Sequence, residues 1–179
     1  MAEDKKEHWL NYLALSTVIL AVCATLSTFK GGGYSSRAVM SQAQASDQWA
    51  YYQAKSVKLN LYQIQREKLQ MEMLALNERT QKGAVEAYDK KAEDYAKKIA
   101  TYDKEKNDIQ SEARRLEAVR DESQSHGKVF GIAVIFLQIA ILLSSIAGLL
   151  RKKIVWYLGL GVGIIGVVYF ADGFLLFLK

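Results

Sequence analysis

Few side chains in this sequence have the chemistry that catalysis or metal binding requires, and they are scattered along the chain. The two histidines, His8 and His126, precede different apolar stretches, and the single cysteine, Cys23, lies inside the first of these stretches. A lone cysteine excludes a disulfide framework. No carboxylate pair, nucleophile triad, phosphate-binding glycine loop or metal-ligand spacing occurs. We therefore predict that the protein is not an enzyme and has no cofactor and no metal site.

One group of polar and aromatic residues could form a binding patch. Trp49 and Tyr52 fall level with Arg114–Glu117 if the chain folds back midway between them. An aromatic ring beside an arginine contributes about 0.5–2 kcal/mol. The group is either a patch close to the membrane or a latch between two helices, and we favour the latch because such stacking is common without a ligand. Its residues are Asp47, Trp49, Tyr52, Lys55, Arg114 and Arg115, with Asp47 and Lys55 as ion-pairing candidates.

The elements that hold these residues follow from an uneven distribution of charge. The sequence is 50% hydrophobic and 24% charged with a net charge of +5, yet Gly31–Gly127 contains 16 Lys/Arg and 15 Asp/Glu. Three other stretches are almost free of charge and long enough to cross the ~30 Å of a bilayer's hydrocarbon. The charged stretch is nearly neutral and has no basic stripe, so no nucleic-acid partner is expected. The expected partner is the lipid bilayer.

The first apolar stretch is predicted to be a membrane span and not a signal peptide. It is too long for a signal peptide, and no small-x-small cleavage site follows before Lys30. The predicted organisation is an N-terminal tail (1–9), transmembrane helix 1 (10–29), an extramembrane helical hairpin (30–127, with its apex near Gly83), transmembrane helix 2 (128–150), a basic turn (151–153) and transmembrane helix 3 (154–178).

The second half of the hairpin has the pattern of a helix packed along a narrow seam. Apolar residues recur there at alternating steps of three and four over more than four heptads, which is typical of a coiled coil. Lys106 is the one polar residue in the series. The seam consists of Val85, Tyr88, Ala92, Tyr95, Ile99, Tyr102, Ile109, Ala113 and Leu116.

The first half of the hairpin, Arg37–Lys82, is also helical in composition, being rich in Ala, Gln, Leu, Lys and Glu. A broader apolar stripe is predicted to follow Trp49, Tyr52, Val57, Ile64, Met71 and Leu74. Gly31-Gly32-Gly33 is interpreted as a hinge between the first span and this half, whereas the second half is expected to continue unbroken into the second span. The fold class is therefore an all-α membrane protein, with three transmembrane helices and a long antiparallel coiled-coil hairpin.

The orientation follows from basic residues in the short segments. Lys5 and Lys6 precede the first span, and Arg151–Lys153 separate the second from the third. With three spans these two segments share a side, which the positive-inside rule makes cytoplasmic. The hairpin is then expected outside the cytoplasm, although Lys30, Arg37 and Lys128 on that side weaken the asymmetry.

The residues also resemble a known family. The N-terminal WLNYLA, the span ending in ATL and above all the run SDQWAYYQAKS are similar to the bacterial family called domain of unknown function 4337. The resemblance covers the whole chain, including a hairpin and two C-terminal spans. It implies membrane topology and a bacterial origin. Combined with the orientation expected from the basic residues, the predicted location is the bacterial inner (cell) membrane, with a periplasmic hairpin and a cytoplasmic N-terminus. The resemblance implies no activity and no catalytic residue.

Small and polar residues form two seams in the spans that favour self-association. The seam of the third span consists of Gly159, Gly163, Gly166 and Gly173. The seam of the second span consists of Gly131, Gln138 and Ser145. Gln138 lies near the middle of the bilayer and needs a hydrogen-bond partner, for which the first span offers Ser16, Thr17 and Thr25. The alternative is packing of the three spans within one chain, but three helices bury little, so both seams are not expected to be satisfied within one chain.

The leading hypothesis is a non-enzymatic membrane scaffold or interaction protein, a homo-oligomer whose hairpin also meets an unidentified protein partner. The alternative is a subunit of an oligomeric ion channel or transporter, suggested by Gln138 and Asp172 within the spans. Asp172 is expected near the membrane interface, because the chain ends seven residues later. An adaptor hairpin like those of efflux systems ranks last, since the β-rich domains of such adaptors are missing.

Overall fold

The computed structural model describes residues 4–75 and 82–178, with side-chain surroundings from residue 8 onward. Every regular element in these ranges is an α-helix, and there are three: α1 (Asp4–Ala75), α2 (Lys82–Leu150) and α3 (Lys153–Leu175). The predicted all-α class is confirmed for these residues. Gly83, the predicted apex, lies in the first turn of α2, and residues 76–81 between α1 and α2 lie outside the described residues.

Each of the three helices contains a stretch that is long and apolar enough to cross a membrane, judged by length and composition. This agrees with the three spans predicted from the sequence. Helix α2 continues without a break from the charged stretch into the apolar one, as expected.

The predicted hinge at Gly31-Gly32-Gly33 is wrong, because α1 passes through all three glycines as one helix. No described glycine has a positive φ angle. A Cβ on Gly31 would lie 3.0 Å from the Cβ of Phe130 in α2. Glycine at position 31 therefore permits a close approach of two helices, which is the other common use of this residue.

The chain divides into two compact units. The three-helix unit consists of Met1–Met40 and Val119–Lys179, and the hairpin unit consists of Ser41–Ala118. In the three-helix unit the core is formed by Leu20, Ala24, Ala133, Leu137 and Ala140. Helix α2 ends at Leu150. The next residue, Arg151, has a left-handed φ of 51°, and the Lys152 N–H donates to the Ala147 carbonyl at 3.2 Å. Such a closing residue reverses the chain within a few residues and brings α3 back against α2.

The hairpin unit contains two arms, the first arm (residues 41–75 of α1) and the second arm (residues 82–118 of α2). Trp49 bonds Glu117, Lys55 pairs with Glu105, and the Tyr62 ring lies 5.4 Å from that of Tyr95. Partner numbers fall as the first-arm numbers rise, so the arms pack antiparallel. All nine seam residues predicted in the second arm are buried or half-buried.

The predicted apolar stripe of the first arm is wrong in its second half. Trp49 and Tyr52 are half-buried, but the remaining members, Val57, Ile64, Met71 and Leu74, are exposed. The buried residues of this arm include Ala45, Leu59 and Leu69. The step of five residues from Tyr52 to Val57 crosses to a different helix face, because residues on one face recur every three or four positions.

Candidate interaction surfaces

The glycine seam of the third span faces the inside of the three-helix unit. Added Cβ atoms would lie 3.2 Å from the Ala140 carbonyl oxygen at position 159 and 3.0 Å from Leu20 at position 163. They would lie 2.8 Å from Leu137 at position 166 and 2.7 Å from the Phe130 ring at position 173. Gly159, Gly163, Gly166 and Gly173 are all buried. The third span therefore uses its glycines to pack against α1 and α2 of the same chain.

We expect Gly173→Ala to destabilise the three-helix unit by about 1–3 kcal/mol, the usual cost of overpacking a filled core. The Phe130 ring it would strike is 0% exposed and cannot move into open space. The matched control is Gly161→Ala in the same helix, where a Cβ meets nothing within 4 Å. The measurement is the unfolding midpoint of both variants in mixed micelles with increasing SDS. Equal midpoints would contradict the described packing of Phe130 on Gly173.

The seam of the second span faces outward instead. Gly131, Gln138 and Ser145 are exposed, and a Cβ on Gly131 would meet nothing within 4 Å. The Ser145 hydroxyl donates to the Ile141 carbonyl of its own helix at 2.9 Å. No described residue hydrogen-bonds the Gln138 amide. Ser145 is thus satisfied locally, whereas the Gln138 amide is available on the outer surface.

The expected pairing of Gln138 with hydroxyl groups of the first span is wrong. The Ser16 and Thr17 hydroxyls both donate to the Leu13 carbonyl, and Thr25 donates to Ala21. These bonds to the preceding turn are the local solution that hydroxyl side chains commonly adopt in helices. They leave no hydroxyl of that set directed at Gln138.

A polar and aromatic cluster closes one end of the three-helix unit. The ring of His126 stacks on Tyr34 at 4.5 Å and 13°, and its Nδ1–H donates to the Gly173 carbonyl at 2.8 Å. Asp172, expected near the membrane interface, is only 2% exposed. Its carboxylate accepts a hydrogen bond from the Leu178 N–H at 2.8 Å. Asp172 therefore binds backbone at the end of α3, which is a structural role and gives no support to an ion path.

The aromatic patch of the hairpin unit is present, but its partners differ from those expected. Trp49 donates its Nε1–H to Glu117 at 3.0 Å. The cation over the Tyr52 ring is Lys106, with its Nζ 5.4 Å from the centroid. The predicted arginine stacking is therefore replaced by lysine stacking and a tryptophan–carboxylate hydrogen bond. Both contacts join the two arms.

The remaining patch residues divide between the arm interface and the outer surface. Arg115 donates to Glu112 of its own helix at 2.7 Å, and Arg114 and Asp47 are exposed. Lys55 pairs with Glu105 on the other arm and lies 4.9 Å from the centroid of Tyr102. The hydrogen bond to Glu105 raises the pKa of the Lys55 ammonium, while partial desolvation acts in the opposite direction. The patch thus ties the arms together through Trp49, Tyr52 and Lys55.

Comparison with known protein families identifies the chain. The family model described as domain of unknown function DUF4337 matches residues 9–176. The chain belongs to this family. The resemblance inferred from WLNYLA and SDQWAYYQAKS is confirmed, and the match includes both units. No curated protein and no solved structure matches the chain.

In this DUF4337 protein, the run SDQWAYYQAKS (46–56) divides between two helix faces. Trp49, Tyr52 and Lys55 lie toward the second arm, whereas Ala50 and Ala54 are exposed on the outside. This run therefore supplies arm-to-arm contacts on one side and a surface of small side chains on the other.

Several contacts of the DUF4337 protein were missed by reasoning from the sequence. Glu105 and Glu117 were not predicted, because their roles depend on the register of the two arms. The sequence signal that could have found them is an acidic residue in the second arm level with Trp49 and another level with Lys55. Phe130 was also missed, although it is fully buried and lies against Gly31 and Gly173. The presence of a large ring opposite two glycines is a common form of complementarity between helices.

Proposed function

We propose that this protein is a non-enzymatic membrane scaffold that assembles with copies of itself through the outer face of its second span. The observation that carries the proposal is the exposed Gln138 amide, with Gly131 and Ser145 one heptad away on either side. A primary amide in hydrocarbon lacks a hydrogen-bond partner, and a neighbouring helix that offers one contributes about 0.6–2 kcal/mol. The same amide on a second copy has both the donor and the acceptor required.

The packing of the three-helix unit supports this choice of face. The four seam glycines of α3 are buried within the chain, so they are not available to a neighbour. Gly131 is exposed and has no intrachain contact within 4 Å of an added Cβ. A small residue on an outer face allows the backbone of another helix to approach closely. Assembly through α2 therefore leaves the internal packing of the chain unchanged.

We further propose that the chain resides in the inner (cell) membrane of a bacterium, with its N-terminus and Arg151–Lys153 in the cytoplasm. The hairpin unit then projects into the periplasm, where it is also available to a protein partner. The support is the five Lys/Arg of the two short segments, since basic residues in short loops resist transfer across a membrane. The assignment involves no cofactor, metal or nucleic acid.

We expect Gln138→Leu to weaken self-association about tenfold, the equivalent of one such hydrogen bond at 1.4 kcal/mol. The measurement is the subunit count at a series of protein concentrations, by light scattering in detergent or mass photometry in nanodiscs. The control is Thr25→Val, because the Thr25 hydroxyl is exposed but bonded to its own helix. A natural protein that is a monodisperse monomer at all concentrations would overturn the proposal.

A subunit of an oligomeric ion channel or transporter is the second candidate, and the exposed position of Gln138 is the observation that favours it. A ring of copies with this amide turned inward would line an aqueous path. Polar groups within spans often mark such paths. Ion flux through the purified protein in liposomes, abolished by Gln138→Leu, would select this function over a scaffold.

A further inference from the structure

The first arm has a second helix face that the hairpin does not use. Its centre is formed by Val57, Leu61 and Ile64, which are 59%, 55% and 60% exposed. Alanine precedes them at positions 50 and 54, and Met71 follows at 71% exposure. Aliphatic side chains of this size rarely remain exposed in a row on a soluble surface, and such a patch usually marks an interaction site. We call this set, residues 50 to 71, the outer face.

The outer face has its own heptad repeat. Ala50, Ala54, Val57, Leu61 and Ile64 follow one another at steps of four, three, four and three. Over about two heptads this spacing is that of a short coiled-coil seam, which fits a helix running along the arm. In this register Ala54 and Leu61 are a positions, and Ala50, Val57 and Ile64 are d positions.

We propose that the outer face pairs with the outer face of other copies of this chain, parallel and in register. The inference rests on the proposed function, because assembly in one membrane places all first arms side by side with the same direction. Among the described residues of the second arm, no large apolar side chain is exposed. The outer face is therefore the apolar helix surface that neighbouring hairpins offer one another.

The residues around the outer face fit a contact between identical helices. The flanking e and g positions include Gln53, Asn60 and Gln65, whose amides can both donate and accept hydrogen bonds. Lys58 is the one charged residue at these flanking positions between Ala50 and Gln65. Depletion of charge around an apolar centre is a feature of protein interfaces. Identical helices can thus approach with little repulsion along this length.

The residue types favour four helices over two. Parallel dimers prefer β-branched residues at a and leucine at d, whereas leucine at a with isoleucine at d shifts the preference to trimers and tetramers. The outer face has Leu61 at a, and Val57 and Ile64 at d. The next a positions on either side are charged, Asp47 before and Lys68 after, so the seam extends over about four helical turns between them. The expected assembly is a four-stranded bundle of first arms.

The test is oxidative cross-linking of the full-length protein in its membrane. Ile64→Cys is made in a Cys23→Ser background. The matched control is Gln63→Cys, because Gln63 is the residue before Ile64 and is also exposed, but it points away from the outer face. We expect rapid disulfide formation between copies at position 64 and at least a tenfold lower yield at position 63. Equal yields at the two positions, or none at position 64, would overturn the inference.

A third cysteine separates failure of this inference from failure of the proposed function. Ser145→Cys reports assembly through the second span. Cross-linking at position 145 but not at 64 would leave the scaffold in place and exclude the outer face. Cross-linking at neither position would contradict both. Leu61→Lys provides a second measurement: we expect the subunit count to fall from four, with helical circular dichroism unchanged because Leu61 has no core role. A count that remains at four would contradict the outer-face contact.

Discussion

Phe130→Ala is expected to lower the free energy of unfolding of the three-helix unit by about 3 kcal/mol. The ring is 0% exposed and lies 5.9 Å from Tyr34, 6.3 Å from Phe170 and 5.0 Å from Phe174, measured between centroids. Removing it empties a site that Gly31 and Gly173 cannot fill. Phe→Ala in soluble cores costs about 3–5 kcal/mol, and the lower end applies because lipid is itself apolar.

The measurement for Phe130→Ala is reversible unfolding in mixed micelles with increasing SDS, followed by tryptophan fluorescence. Trp9 and Trp156 lie 6.2 Å apart in the three-helix unit and report its integrity, provided that Trp49 is replaced by Phe. The control is Phe29→Ala, because Phe29 is 76% exposed. We expect a change below about 1 kcal/mol at that surface position. Equal losses from the two variants would contradict the placement of Phe130.

The second large effect concerns orientation and is all-or-none. A cysteine at Gly83, in a Cys23→Ser background, is expected to react fully with a membrane-impermeant maleimide added to intact cells. A cysteine at Lys152 is expected to remain unlabelled until the membrane is permeabilised. The reason is that Lys5, Lys6 and Arg151–Lys153 carry five positive charges on short segments, whereas a long domain crosses largely regardless of charge.

Both orientation positions are suitable for labelling. Gly83 is exposed, and a Cβ there meets nothing within 4 Å. Lys152 lies in the turn between α2 and α3 and is also exposed. Labelling at Lys152 and protection at Gly83 would show the opposite orientation, with the hairpin in the cytoplasm. That result would leave the three apolar helices and their packing unaffected.

The periodicity of the sequence was sufficient to predict the packed face of the second arm. Residues such as Ala92, Ile109 and Ala113 stand alone among polar and charged neighbours, so a single apolar face was visible. The first arm has apolar residues on two faces. Periodicity shows that each face exists, but the choice between them depends on the partner arm, and the sequence pattern does not contain that information. The predicted stripe therefore joined Tyr52 of one face to Val57 of the other.

The role of glycine in the helices was ambiguous for a related reason. A glycine in a helix lowers its stability by about 1 kcal/mol relative to alanine, which suggests either a break or a close contact. Gly31 and Gly173 both serve a close contact, because a Cβ on either would meet the side chain of Phe130. Both depend on a residue about 40 to 100 positions away in the sequence. Similarly, the sequence placed Trp49 level with Glu117, but the hydrogen bond between them could be identified only from the positions of the two side chains.

The contact between Leu20 and Gly163 has a consequence for synthesis. A Cβ added to Gly163 would lie 3.0 Å from the Leu20 side chain, yet about 140 residues separate the two in the chain. At a translation rate of about 5–20 residues per second, the ribosome needs about 7–30 seconds to reach α3 after completing Leu20. In the proposed membrane setting, the first span lacks α3 for that whole interval and lacks its second-span partner Phe130 for most of it, because Phe130 lies about 110 residues after Leu20. Hydroxyl groups of the first span, such as those of Thr17 and Thr25, already bond the preceding turn of their own helix. They therefore need no hydrogen-bond partner from another helix during this time.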